Sequence, residues 1–263
     1  YRLYVFLALN QYSLKPGEYE LSPKMPIRDL GDTLVLGGTN EVIITIPEGF
    51  SLKQIEDRLT KAGLARQNEL MNFKFLKDGP PILADKPKSA SLEGYLFPAT
   101  YRFFKDAELS DVVSKMVANL DPKLTPDLKA AMASSGRGAY EIITMASLIE
   151  EEIKSDADRK IVSGILWKRL KAGVPLQVDA TLVYITGRQE ISEADKKINS
   201  PYNTYFNRGL PKGPIASPGL SAIRAAVFPE VSPYWYYLST KNGATIFSKT
   251  LEEHNRNRAI YLK

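Results

Sequence analysis

Three consecutive glutamates, Glu150, Glu151 and Glu152, close the apolar run ITMASLI that starts at Ile143. On a helix Ile143, Ala146, Glu150 and Ile153 share one stripe, so Glu150 interrupts an apolar face. Desolvation there favours the protonated carboxylic acid, the form a general acid needs near neutral pH. Glu151 is rotated toward the polar side, near Ser147 and Lys154, and reads as a solvated helix end. Glu152 neighbours Leu148 and Ile149 and can point either way. Glutamates also end helices near lysines for purely structural reasons, and pairing with Arg159 or Arg169 would make Glu150 such a residue.

Downstream, LQVDAT (Leu176 to Thr181) and SPYNTYFNRGLPKGP (from Ser200) are dense in amides, hydroxyls and aromatic rings. Such groups suit a sugar polymer better than a phosphate or a metal. Tyr205 and Phe206 also read as an ordinary aromatic loop packed on the core. The chain has no cysteine and one histidine, which removes thiolate nucleophiles and disulfides and argues against an imidazole zinc site or a Ser-His-Asp triad. That histidine, His254, follows Thr250 and Glu253 at capping-box spacing and reads as a residue on a surface helix. No glycine-rich phosphate loop, Walker lysine or dinucleotide fingerprint is present, so neither cofactor nor metal is expected. A net charge of +5 over 263 residues, with the basic residues scattered, is a weak footprint for nucleic acid, and no such partner is expected. No stretch reaches the roughly 20 apolar residues of a membrane span, and the opening YRLYVFLAL is too short.

The elements that must position Glu150 follow from pattern. With 44% hydrophobic residues the chain can bury a sizeable core. A weak repeat, PGEYELSPKMPIRDLGDTLVLGG then ITIPEGFSLKQIEDRLTKAGL, runs strand, turn, amphipathic helix, glycine in each copy. Ser51 caps the second helix, and Gly63 ends it. The segment Lys77 to Ser91 reads as a junction, with a boundary near Ala84. Beyond it, SLEGYLFPATYRF reads as a strand or entry loop, and helices are expected over Asp106 to Asn119 and Ala139 to Lys154. A further helix starts at a Ser155/Asp158 cap and stops at Gly173. Ser217 and Pro218 mark the N-cap and first position of a helix that ends before Pro229, and Asn242-Gly243 signals a hairpin. The expected fold class is α+β: a small βα N-terminal domain (1–83), then a mixed, helix-rich domain (84–263) with a late β-hairpin.

The ordered set ITIPEGFSLKQIEDRL, LEGYLFPATY, ASLIEEE, SGILWKRLKAGVPLQVDATLVYITG, YNTYFNRGLPKGPIASPGLSAIRAAVFP and FSKTLEEHN resembles the endolytic murein transglycosylases, the YceG-like family, over nearly the whole chain. The resemblance implies a LysM-like first domain, truncated at its start, ahead of a catalytic domain. It implies cleavage of the MurNAc-GlcNAc bond within peptidoglycan glycan strands, leaving 1,6-anhydro ends. The family's catalytic acid falls on Glu150, in agreement with the helical stripe. Gln177, Asp179, Tyr202, Asn203 and Thr204 are placed around the cleft by similarity, with Glu152 a further candidate. Here Glu-Glu-Glu stands where many relatives have Glu-Lys-Glu. Implied partners are glycan strands and penicillin-binding proteins. The implied location is the outer face of the cytoplasmic membrane, held by a single-pass anchor absent from this otherwise soluble chain. A non-catalytic peptidoglycan-binding scaffold and a muramidase that hydrolyses the same bond remain the alternatives.

Overall fold

The computed structural model describes residues 15, 19, 21–36, 41–75, 79–240 and 242–262. The strand expected around Pro16 to Glu20 falls largely outside them. Among the described residues the fold is mixed α+β, with nine α-helices and two antiparallel two-stranded sheets. The first part contains α1 (Ile27–Leu36), β1 (Glu41–Ile46) and α2 (Leu52–Lys61). Ser51 caps α2 through the Gln54 N–H, and Gln54 returns the bond to the Ser51 N–H, as the sequence predicts.

β2 (Ala99–Phe104) pairs with β1 from Glu41↔Phe104 to Ile46↔Ala99. Strands on either side of the Ala84 junction therefore share one sheet. Ile44 and Ile46 alternate with outward residues and meet Tyr101, Phe103, α2 and α3 (Leu109–Ala118) in one apolar cluster. Period-two burial on the strands and helical burial of Leu52, Ile55 and Leu59 close that core from both sides.

A second cluster surrounds α5 (Ala139–Glu152), whose residues Ile142 to Ile149 are all buried. A helix buried on every side is a central strut. It packs along α8 (Leu220–Val227) and touches α6 (Asp156–Lys171) and α7 (Asp179–Thr186), with α4 (Pro126–Ser134) against α8. Ser147, expected on the polar side, is fully buried, where its Oγ accepts the Ile215 N–H at 3.1 Å. α6 begins at the Ser155 cap as expected. The hairpin β3 (Tyr236–Ser239) and β4 (Thr245–Ser248) turns through Gly243 at φ +83°, and α9 (Leu251–Tyr261) follows the Thr250 cap.

Two starts differ from expectation: α3 begins at Leu109, not Asp106, and α8 begins later than its signal. The N-cap of α8 is Gly219, not Ser217. Ser217 is tied across to another loop, its N–H donating to Phe50 O (2.8 Å) and its carbonyl accepting from the Gly49 N–H (2.9 Å). Its buried hydroxyl caps nothing.

Candidate active site

Successive residues on a helix point about 100° apart, and the three glutamates that end α5 reach three different segments. Glu150 Oε2 accepts the Gly219 N–H at the start of α8 (2.9 Å). Glu151 is exposed as a residue, yet its Oε1 lies 2.6 Å from where a Cβ on Gly49 would stand, in the β1–α2 loop. Glu152 Oε1 accepts the Ala180 N–H in the first turn of α7 (3.3 Å). A fourth carboxylate, the buried Glu93, accepts the first N–H of α2, from Leu52 (2.8 Å), and the Tyr184 hydroxyl (3.0 Å). The unpaired N–H groups of helix starts are natural carboxylate partners. Two helix N-termini thus meet the end of α5, and a third, that of α2, is held by Glu93.

Glu150 is the candidate acid, and the structure gives it opposing influences. Only 7% of its side chain is exposed, and Arg159 of α6 donates to Oε1 at 2.6 Å. Burial pushes its carboxyl above the ordinary range; the Gly219 N–H and Arg159 pull it down, and Glu48 pushes it up again. The balance is upward, toward the protonated form. Arg159 is held by Ile153 O (2.9 Å) and Asp156 (3.5 Å), so its position does not depend on Glu150 alone. Arg169, the other cation considered for Glu150, instead donates to Pro175 O, Trp235 O and Gln177 Oε1.

The remaining candidates gather at the start of α7. Gln177 is exposed, with φ at +56°, a left-handed conformation that costs a non-glycine residue on the order of 1 to 3 kcal/mol and is found preferentially at functional sites. It is fixed there by its N–H on Thr204 O (3.1 Å) and by Arg169 on its side chain (2.9 Å). Asp179 accepts the Tyr205 hydroxyl (2.5 Å). Thr204 is buried, taking the Val178 N–H (3.0 Å) and sharing a bond with Thr181. Asn203 is buried too, and its amide is spent on its own loop: Nδ2 to Lys196 O and Ile198 O, Oδ1 from the Tyr205 and Phe206 N–H groups. Tyr202 is partly buried, its ring 5.0 Å from that of Tyr184. Phe206, for which packing on the core is one of the two sequence readings, is 56% exposed.

Glu152 completes this side. Besides Ala180 it accepts the Tyr237 hydroxyl of β3 (3.3 Å), and burial pushes its carboxyl up to about 7, with Asp179 adding to the rise. Burial pushes Glu93 to about 7 as well. Glu93, Glu48 and Gly219 escape a reading of the sequence as site residues. Their only local signal is a Glu-Gly pair inside apolar surroundings, IPEGF and LEGYL, and a glycine after Ser-Pro.

A profile of the YceG-like family matches residues 1–260. A protein of Bacillus subtilis (strain 168) named endolytic murein transglycosylase is 35% identical over 262 residues, covering 94% of this chain and 72% of that one. A protein of the same name from Streptococcus pneumoniae serotype 2 (strain D39 / NCTC 7466) is 34% identical over 285 residues, 96% of this chain, which spans 52% of its length. The 2.6 Å crystal structure of a YceG-like protein from Listeria monocytogenes, 33% identical, is similar with a TM-score of 0.72 over 97% of this chain and 90% of that one. By sequence along nearly its whole length, and by fold, the chain belongs to the YceG-like family.

Proposed function

We propose that this chain is an endolytic lytic transglycosylase acting on the glycan strands of peptidoglycan, with Glu150 as its acid. The observation that carries the reading is the double character of the Glu150 environment. Burial favours the protonated form that can donate; Arg159 and the Gly219 N–H wait to hold the carboxylate once the proton has left. Protonated Glu150 gives its proton to the glycosidic oxygen as the bond from the muramic C1 breaks. The C6 hydroxyl of the same sugar then attacks C1, its proton returns to Glu150, and a 1,6-anhydro end results. The nucleophile comes from the substrate, so one carboxylate suffices where ordinary glycosidases use a pair. Gln177, Asp179 and Tyr202 line the sugar-binding side, with buried Asn203 and Thr204 shaping the loop behind them and Glu152 tying α5 to it. The name that the Bacillus and Streptococcus relatives carry supports the same activity.

A LysM-like unit ahead of the transglycosylase unit is part of this reading; the βα order of β1 and α2 fits it, while the pairing of β1 with β2 carries its sheet past the Ala84 junction. Murein lies outside the cytoplasmic membrane, so the enzyme works at that face, beside the penicillin-binding proteins that polymerise its substrate. Among the described residues no helix is long and apolar enough to cross a membrane. The test is mass spectrometry of un-crosslinked strands treated with the protein and with Glu150→Gln. Internal fragments one water lighter at their muramic ends, lost in the variant, are the expected products. Hydrated reducing ends would mean a muramidase, and strand binding without cleavage a scaffold in which the Glu150–Arg159 pair is merely structural.

A further inference from the structure

The β1–α2 loop has no part in the mechanism above, yet it delivers a carboxylate to the acid. Two backbone hydrogen bonds, Gly49 N–H to Ser217 O and Ser217 N–H to Phe50 O, lay Pro47 to Phe50 along the segment that enters α8. In that arrangement the Glu48 carboxylate fills the space into which a side chain on Gly219 would project. Gly219 is also the residue whose N–H holds Glu150 Oε2. One glycine is therefore touched by both carboxylates, its N–H by Glu150 and its open Cβ position by Glu48. The loop is pinned at its next two positions as well. Gly49, at φ +79°, lies against Glu151, and beyond the turn the Leu52 N–H is taken by Glu93.

We propose that Glu48 is a positioning residue for the acid: it braces Gly219 beneath Glu150 and presents a second negative charge to it, so the N-terminal part of the chain completes the active site. The assignment rests on the reading of Glu150 as the proton donor. The charged groups that face Glu150 are Arg159 from α6, Glu48 from the β1–α2 loop and Glu151 on its own helix, with Asp156 sharing Arg159. Of these, only Glu48 comes from the other side of the Ala84 junction. Without its charge Arg159 acts on Glu150 with less opposition, and the carboxylate form gains. The donor state thus depends on the loop being docked on Ser217 and Gly219. Anything that lifts the loop lowers the population of competent acid.

The test is a carboxyl carbon-13 NMR titration of the full chain, with the Glu150 resonance assigned by its loss in Glu150→Gln. Two variants remove the Glu48 contact by different routes. Glu48→Gln cancels the charge at an exposed position, and Gly219→Ala keeps the N–H but must push the Glu48 carboxylate aside. In both, Glu150 is expected to titrate lower than in the parent, by roughly half a pH unit. The alkaline limb of the cleavage-rate profile moves down with it while KM holds. An unchanged or raised Glu150 titration in Glu48→Gln, in a parent that cuts strands, overturns the assignment. The downward shift in a parent that cuts nothing keeps the coupling of the two carboxylates and removes the transglycosylase reading.

Discussion

Glu150 and Glu152 stand two residues apart on one helix end and are treated in opposite ways. Glu150 meets a cation, a helix N-terminus and a second carboxylate, so its charge is worth something in either state. Glu152 meets neutral donors, a backbone N–H and a tyrosine hydroxyl, and nearby Asp179 opposes its ionisation. In the proposed mechanism Glu150 must give a proton and take it back, and so needs partners for both forms. One that ties α5 to α7 and β3 needs only hydrogen bonds.

That contrast breaks most sharply in catalysis. Glu150→Gln should lower the strand-cleavage rate by about a hundredfold to ten-thousandfold, in the range lost with a general acid, without a fall in melting temperature. Glu152→Gln should cost less than about tenfold, because the amide keeps an acceptor for Ala180. Equal losses in a rate assay would erase the distinction.

Arg159→Met tests the charged side by itself. Loss of the cation lets burial act on Glu150 with less opposition, so the alkaline limb of the rate profile should move up, opposite in sign to Glu48→Gln. The variant also leaves Ile153 O without its donor, for a stability loss of about 1 to 3 kcal/mol in a denaturant melt.

The pH dependence of stability follows from the neutral side. Glu93 and Glu152 are raised from 4.5 to about 7 in the fold, so between those values the folded chain binds more protons than the unfolded one. Their contribution is full below about pH 4.5 and is lost as pH rises through 7. For Glu93, nearly fully buried, this is on the order of 3 kcal/mol. Thermal melts should therefore show a higher Tm near pH 5.5 than near pH 8, and Glu93→Gln should flatten that slope. A slope unaffected by the substitution would place the titration elsewhere.

The smallest effect concerns the loop beside α7. Thr204→Val is nearly isosteric but leaves the buried Val178 N–H without its acceptor, at a cost of about 1 to 2 kcal/mol. Gln177 should then relax from its left-handed conformation, which a rise in KM with little change in kcat would report.

Much of this was legible beforehand because it is local. Ser51, Ser155 and Thr250 cap their helices as their spacing requires, and the Asn242-Gly243 hairpin forms where the turn chemistry puts it. The helical stripe points Glu150 inward, and its side chain is 7% exposed in the fold. The start of α8 departs from its local signal for a non-local reason: Ser217 has the composition of a cap, but its backbone is claimed by Gly49 and Phe50. Asn203 looked like a sugar-binding amide, and its bonds to Lys196, Ile198, Tyr205 and Phe206 could not be foreseen from residue type.

By itself, then, the sequence determined where most helices start and that the carboxylate of Glu150 ends an apolar helical run, since period and capping act within a few residues. Only the tertiary structure decided what surrounds the acid. Gly219 lies 69 positions from Glu150, and β1 reaches β2 across the Ala84 junction. The state of a carboxylate depends on burial and on charges a few ångströms away, and partners so distant along the chain leave no mark on the local pattern.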